Sequence, residues 1–276
     1  MSDLKVVVIG AGTKGALYPD ERLTHAHAFS RNGFHLLGFV DLDKDNLAKA
    51  KQRWGGIGAE SVEEIMSLRP DVVTVAVSDW AHYDVLKEIA EQEHKPRLVF
   101  TEKPFCQNLK QAQEIAELYR DKEIGLSVNF SRRFLPEFQD LAKCKYTSAM
   151  GYCTKGLHNL SHLADLALLL QVQVKAVEIP RADLNVFEVE MFGPSGKTAI
   201  LDHGARVRFA PVRPRADHPS DKMLDYSREV SYPVDLHRAM EYAAKNIRAH
   251  LTDGTPLLST VENALEVMEV CQQWQK

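Results

Sequence analysis

Cysteine is scarce in this 276-residue chain: Cys106, Cys144, Cys153 and Cys271 lie far apart and form no Cys-x-x-Cys pair. Neither a disulfide framework nor a zinc site is expected from that spacing, and no other metal site is read from the sequence. Reduced, mostly buried thiols are expected instead. No apolar run reaches ~18 residues, which argues against a membrane span. The opening "MSDLKVVVIGAG" enters a strand pattern without the basic region, apolar core and cleavage site of a signal peptide, so a cytoplasmic location is expected. A long basic run is also missing and the formal net charge is −4, which argues against nucleic acid as the partner.

What is present is a globular composition, 45% hydrophobic and 26% charged, in a chain long enough for a full core and two domains. The first half alternates short β-branched runs with helix-period segments: "LKVVVIG", a helix from about Thr24, "LLGFVD", then the helix "KDNLAKAKQRW". The pattern continues through "SVEEIMSL", "DVVTVAV", "AHYDVLKEIAEQ", "RLVFTE" and "NLKQAQEIAELYR". Strands alternating with amphipathic helices predict a parallel sheet, and near-continuous apolar strands predict cover on both of its faces.

The first strand runs into Gly10, Gly12 and Gly15, a Gly-x-Gly-x-x-Gly opening a βαβ unit. In that context Gly10 allows a tight turn, Gly12 lets backbone approach a pyrophosphate and Gly15 allows close packing. Exposed N–H groups at a helix N-terminus favour the anion. The second strand ends at Asp41, where a carboxylate accepts hydrogen bonds from an adenine ribose, favouring NAD over NADP. Asp41 follows Gly10 by 31 residues, longer than the ~20 of the compact fingerprint, and the excess falls in "ALYPDERL", residues 16–23.

Beyond about Leu126 the pattern changes. "IGLSVNF" leads to "SRRFLPEFQDLAK", the strand "KYTSAMGYC" and the helix "LHNLSHLADLALLL". Extended segments then follow one another: "VKAVEIP", "LNVFEVEMFG", "KTAILDH", "RVRFAP" and "REVSYPV". Consecutive strands with short turns predict a largely antiparallel sheet and an α+β second domain. Two helices, roughly 235–252 and 259–275, close the chain, and "VRPRADHPSDK" reads as a long loop. The expected division is 1–122 for an α/β dinucleotide-binding domain and 123–276 for an α+β domain.

Two clusters carry candidate chemistry. Glu102 and Lys103 in "VFTEKPF" stand at the C-terminal end of a parallel strand, where open α/β sheets bind ligands, and Pro104 restricts the backbone there. In "LHNLSHLADLALLL", His158, His162 and Asp165 are spaced i, i+4 and i+7, so one helical face carries all three. Such a face suits a general acid/base, and equally a core helix with satisfied imidazoles.

With "GAGTKG", Asp41, "AVSDWAH", "EKP" at 102–104, "VNFSRRF" at 128–134 and "SHLAD" at 161–165 in this order, the chain resembles the Gfo/Idh/MocA family of oxidoreductases. The resemblance runs over nearly the whole chain. It implies an N-terminal Rossmann domain holding a nicotinamide cofactor, NAD in preference to NADP, and a C-terminal domain supplying the substrate site and a homo-oligomer contact, as dimer or tetramer. Cofactor contacts would come from Gly10, Gly12, Thr13, Lys14 and Gly15, from Asp41, Ser78 and His82, and from Glu102 and Lys103. Lys103 and His162 would be catalytic, His162 exchanging a proton with the reacting oxygen while hydride moves. His158, Asn159, Asp165 and Arg133 would bind a sugar-like substrate.

Many members of that family carry an acidic residue four positions before the histidine, where this chain has His158. The run "KGLHNLSH" resembles a subgroup associated with sugar and surface-polysaccharide metabolism. A non-catalytic dinucleotide-binding sensor of the same fold is the alternative to the enzyme. For the insertion two readings stand: contact with cofactor or substrate, or a surface elaboration of the turn.

Overall fold

The structure is a computed structural model and describes residues 4–154, 156–179 and 185–274. Its first strands and helices are β1 (Leu4–Ile9), α1 (His25–Ser30), β2 (Phe34–Val40), α2 (Lys44–Trp54), β3 (Ile57–Ala59), α3 (Val62–Met66) and β4 (Val72–Val75). Then come α4 (His82–Glu91), β5 (Leu98–Thr101), α5 (Leu109–Asp121), β6 (Gly125–Val128) and α6 (Pro136–Leu141). β7 (Ser148–Cys153) and α7 (Leu157–Leu169) precede β8 (Val174–Glu178), β9 (Phe187–Gly193), β10 (Gly196–Leu201) and β11 (Arg206–Pro214). β12 (Lys222–Leu224), β13 (Val230–Pro233), α8 (Ala239–Asp253) and α9 (Val261–Trp274) complete the order. The chain forms two compact units, 1–134 with 237–269, and 135–236 with 270–276.

The first unit is built on a parallel sheet of order β3-β2-β1-β4-β5-β6. β4 and β5 are buried at every position, as expected for strands covered on both faces. The order reverses between β1 and β4, and this switch point opens a crevice beyond the C-terminal ends of those strands. Helix ends are locally specified: Asp43 caps α2 by accepting from Asp45 and Asn46 N–H, and Asn108 caps α5 through Gln111 N–H.

Two features differ from the expected division at 122/123. β6 pairs in parallel with β5, Leu98 opposite Gly125 through Thr101 opposite Val128, so the sheet takes its sixth strand from beyond that boundary. α8 also joins this unit, because Met240, Ala243, Ala244 and Ile247 pack in one core with Val6, Phe29, Phe34 and Phe100. Sequence order could not reveal that return of the chain, since an amphipathic helix does not name the sheet it covers.

The second unit holds a seven-stranded mixed sheet of order β12-β11-β10-β9-β7-β8, with β13 also paired to β11. β7 and β8 are parallel, joined through α7, and the remaining pairs are antiparallel. α7 lies close on β7: a Cβ on Gly151 would stand 2.5 Å from Leu163 Cδ1. The expected long loop is partly a hairpin, since β11 runs on to Pro214 and pairs there with β12. Its prolines and charges hid an edge strand, where both are tolerated. Pro180, Leu184 and Gln275, the ends of three expected elements, and Lys155 lie outside the described residues. Cys106, Cys153 and Cys271 are buried and Cys144 is exposed. Among the described residues no helix is long and apolar enough to cross a membrane.

Candidate functional site

The three glycines do different work at the end of β1. Gly10 has φ +92°, and a Cβ there would stand 2.6 Å from the backbone of Ala76, just past β4. A Cβ on Gly15 would collide with the Gly10 carbonyl oxygen. Gly12 is unlike both: its nearest neighbour would be Asn46 Nδ2 at 3.6 Å, an ordinary contact. Gly10 and Gly15 are therefore required by the fold, whereas the space beside Gly12 is left open by the protein. That opening, at the switch point, fits the pyrophosphate of a dinucleotide.

A full helix does not follow the loop directly, as the expected fingerprint has it. Residues Thr13–Leu17 make one π-helical turn in which Ala16 and Leu17 N–H both donate to Gly12 O, at 2.9 and 3.0 Å. The insertion then docks against neighbouring elements. Trp54 Nε1 donates to Ala16 O (2.9 Å), and Arg53 Nη1 donates to Tyr18 O (3.1 Å). Asp20 accepts from Arg22 and lies 2.8 Å from His237 Nδ1. The Arg22 guanidinium holds the Asp20 carboxyl well below the usual carboxylate range. Thr24 caps α1 by accepting from His27 N–H. Asp20 and Arg53 thus tie the segment into the first unit. Thr13 and Lys14 remain exposed at the loop, with Lys14 Nζ 5.5 Å from the Tyr18 ring centroid.

Asp41 is half-buried and bridges two loops: Oδ2 accepts from Ala11 N–H (2.7 Å) and Oδ1 from Asp43 N–H (2.8 Å). The carboxylate is thereby fixed against the glycine turn. Ser78 is exposed at the end of β4, where its carbonyl accepts from Ala81 N–H (2.8 Å). His82, expected among the cofactor contacts, is fully buried. Its Nδ1 lies 2.7 Å from Pro104 O and its Nε2 3.2 Å from Val77 O. Both nitrogens lie against backbone carbonyls, so His82 sits packed between the loop after β4 and the loop after β5.

At the end of β5 the Lys103–Pro104 peptide is cis. Lys103 is 7% exposed, and burial lowers its ammonium to about 8. Glu102 and Asp79 pull in the opposite direction, while Arg132 and Lys14 add to the lowering. Burial would raise the Glu102 carboxyl, but the hydrogen bond and charge of His25, with Lys14 and Asn129, hold it at about 2. The ion pair places His25 Nε2 3.0 Å from Glu102 Oε1, and Asn129 Nδ2 donates to the same oxygen at 2.8 Å. Arg132 and Arg133 are buried in the turn Ser131–Phe134 after β6.

His25 was not singled out from the sequence. It lies in "LTHAHAF", a run whose small and apolar residues read as a short core helix, and only the pairing of β1 with β4 and β4 with β5 brings it to Glu102.

In the second unit α7 carries the other cluster with graded exposure: His158 exposed, His162 half-buried, Asp165 buried. The His158 and His162 rings meet edge to face at 6.1 Å, and His162 meets Phe187 at 6.3 Å. Asn159 is buried and donates from Nδ2 to Asn185 Oδ1 (3.2 Å), which fixes the helix against the start of β9. His158 and His162 thus stand side by side on α7. Asn185 is the residue that sequence reasoning missed there.

A sequence profile described as an oxidoreductase family with an NAD-binding Rossmann fold matches residues 4–130. The myo-inositol dehydrogenase Hyg17 of Streptomyces leeuwenhoekii is 30% identical over 139 residues, which is 50% of this chain and 40% of that protein. The match thus spans less than half of that relative. The UDP-N-acetylglucosamine 3-dehydrogenase GnnA of Acidithiobacillus ferrooxidans is similar in structure with a TM-score of 0.75 at 12% identity, over 100% of this chain and 97% of that one. The transcriptional regulator Gal80p of Kluyveromyces lactis is similar with a TM-score of 0.73 at 11% identity, over 99% and 88%. Both likenesses are of fold, shared by a protein named as a dehydrogenase and one named as a regulator.

Proposed function

We infer that the chain is a dehydrogenase or reductase of a sugar or sugar derivative in the Gfo/Idh/MocA family of oxidoreductases, whose NAD-binding Rossmann profile matches residues 4–130. The observation that carries this reading is Lys103, a buried cation beside a carboxylate held ionised, at the ligand-binding end of a Rossmann sheet. A cation kept in so dry a place suits an oxygen whose negative charge rises during reaction.

When bound, nicotinamide supplies the hydride acceptor or donor. Lys103 would stabilise the alkoxide-like oxygen, and the proton, taken from the hydroxyl during oxidation or returned during reduction, is assigned to His162 by the family resemblance alone. Gly12 and the exposed Thr13 and Lys14 would hold the diphosphate. Asp41, already oriented by Ala11 and Asp43 N–H, accepts from the adenine ribose and repels a 2′-phosphate, which favours NAD over NADP. By the same resemblance His158, Asn159, Asp165 and Arg133 would be the substrate contacts. The relative named as a myo-inositol dehydrogenase supports a ring hydroxyl as the reacting group.

A second reading, dinucleotide binding without turnover, rests on the fold neighbour named as a transcriptional regulator and on His158 standing where the family commonly has a carboxylate. One assay separates them: the near-ultraviolet absorbance of reduced nicotinamide, followed with NAD or NADH across a panel of sugars, sugar acids, sugar phosphates and nucleotide sugars. Substrate-dependent change supports the enzyme. Tight cofactor binding with no turnover on any of them supports the sensor.

A further inference from the structure

His25 is fully buried on α1, yet only one of its nitrogens is used. Nε2 meets Glu102 Oε1 at 3.0 Å, while Nδ1 is buried with no hydrogen-bond partner among the described residues. An unsatisfied buried nitrogen costs free energy, and packing beside the Phe100 ring (5.4 Å between centroids) asks only for an apolar side chain. The imidazole is therefore retained for its Nε2 contact. Asn129 repeats the pattern from the end of β6: Nδ2 donates to the same Glu102 oxygen at 2.8 Å and meets Met240 Sδ at 3.1 Å, while Oδ1 is buried with no hydrogen-bond partner among the described residues.

Both inward bonds fall on Oε1 of Glu102. Oε2 receives none from the described residues, and the side chain keeps 13% of its surface exposed. A carboxylate pinned by one oxygen presents the other in a fixed direction. That oxygen stands at the C-terminal end of β5, in the half of the sheet beyond the switch point, where a Rossmann fold holds the nicotinamide side of a dinucleotide.

Resting on the dinucleotide-binding reading above, we propose that His25 is a positioning residue. With Asn129 it clamps Glu102 Oε1, so that Oε2 accepts a hydrogen bond from a ribose hydroxyl of the bound dinucleotide. The groups that face Glu102 are His25 from α1, Lys14 from the turn after β1, Asn129 after β6 and Lys103 next in the chain. The contact requires that Nε2 bear the hydrogen, which it donates to Oε1.

The test is NAD binding by calorimetry in the full-length protein, which needs neither substrate nor turnover. His25→Leu is expected to weaken NAD about 10-fold or more, the scale of a lost hydrogen bond to a charged group. His25→Gln, which keeps a donor, recovers most of that loss. In a Glu102→Gln background the same His25→Leu change costs less than about 2-fold, because the clamp has no charged acceptor to orient. The pH dependence supplies a further readout. The ionised Glu102 is the acceptor, present above its lowered native value and lost only as pH falls through about 2. Without His25 the burial effect is less opposed, so in His25→Leu the acid loss of affinity moves to higher pH.

Native-like affinity in a folded His25→Leu protein overturns the proposal. So does an equal loss with and without the Glu102 carboxylate, which is the mark of a packing role. If His25→Leu does not fold, His25→Asn takes its place, its shorter amide being unable to span to Oε1, with the same two outcomes. A native protein that binds no dinucleotide overturns the functional reading and this one together. A native protein that binds NAD, with variants that bind equally well, overturns this one alone.

Discussion

Lys103 and Asp41 are the residues whose surroundings make the firmest statements about chemistry. Burial lowers the Lys103 ammonium to about 8, so the charged form proposed to stabilise the reacting oxygen disappears as pH rises through about 8. Turnover is expected to fall above that pH. Lys103→Arg, charged throughout, removes the alkaline limb while lowering the rate, which a pH profile of kcat would show. Lys103→Ala and His162→Ala should each lower turnover by roughly 10²-fold or more with little change in cofactor affinity. Steady-state rates on a confirmed substrate, paired with NAD titration, check this; native-like rates in both variants would sink the assignment. His158→Ala should act mainly on KM for the substrate. Asp41→Ser is expected to narrow the preference for NAD over NADP and also to weaken NAD, since one hydroxyl does not replace the two carboxylate oxygens that hold Ala11 and Asp43 N–H. Fluorescence titration of both cofactors reads both effects, and tighter NADP binding by the native protein would mean that Asp41 serves the loop alone.

At the scale of elements, the glycine turn separates fold from function. Gly15→Ala and Gly10→Ala are expected to lower stability by about 1–3 kcal/mol or more, because backbone stands where each Cβ would go. Gly12→Ala should melt like the native protein and lose NAD affinity, since only the open side of the turn is filled. Thermal unfolding with and without NAD distinguishes the cases, and a Gly12→Ala protein that binds NAD normally would show that the pyrophosphate lies elsewhere. Most of the first unit was legible at this scale: the helix read in "KDNLAKAKQRW" is α2, Lys44–Trp54, residue for residue. A capping Asp43 and an apolar stripe of Leu47 and Ala50 suffice for that. The insertion was legible as an interruption and not as a docked turn, because its partners Arg53, Trp54 and His237 are distant in sequence. The contact of His82 with Pro104 O is not legible in the sequence, because it appears only once β4 and β5 are side by side.

For the whole molecule, the second unit's sheet suggests assembly. α7 covers the face that carries Gly151, Val189 and Phe187, and by alternation the other face carries Met150, Tyr152, Phe192 and Leu201, all half-buried, with the Glu190–Lys197 pair among them. A face of that composition is suited to cover by a second copy. Light scattering at working concentration is expected to give a multiple of the chain mass, and charged substitutions at Tyr152 and Phe192 should return the monomer. A native monomer would end that expectation.

By itself the sequence determined the alternation of strands and helices, the parallel first sheet, the antiparallel tendency of the second, and the motifs at Gly10–Gly15, Glu102–Lys103 and His158–Asp165. These depend on local periodicity, turn chemistry and capping, which act between residues a few positions apart. Tertiary structure alone decided that β6 and α8 complete the first unit, that His82 faces inward, and that His25 and Asn129 converge on one oxygen of Glu102. Those outcomes depend on which strands become neighbours. A buried imidazole on a short helix looks the same in sequence whether its nitrogen meets a carboxylate or nothing, and only the packing of α1 over β1, β4 and β5 distinguishes the two.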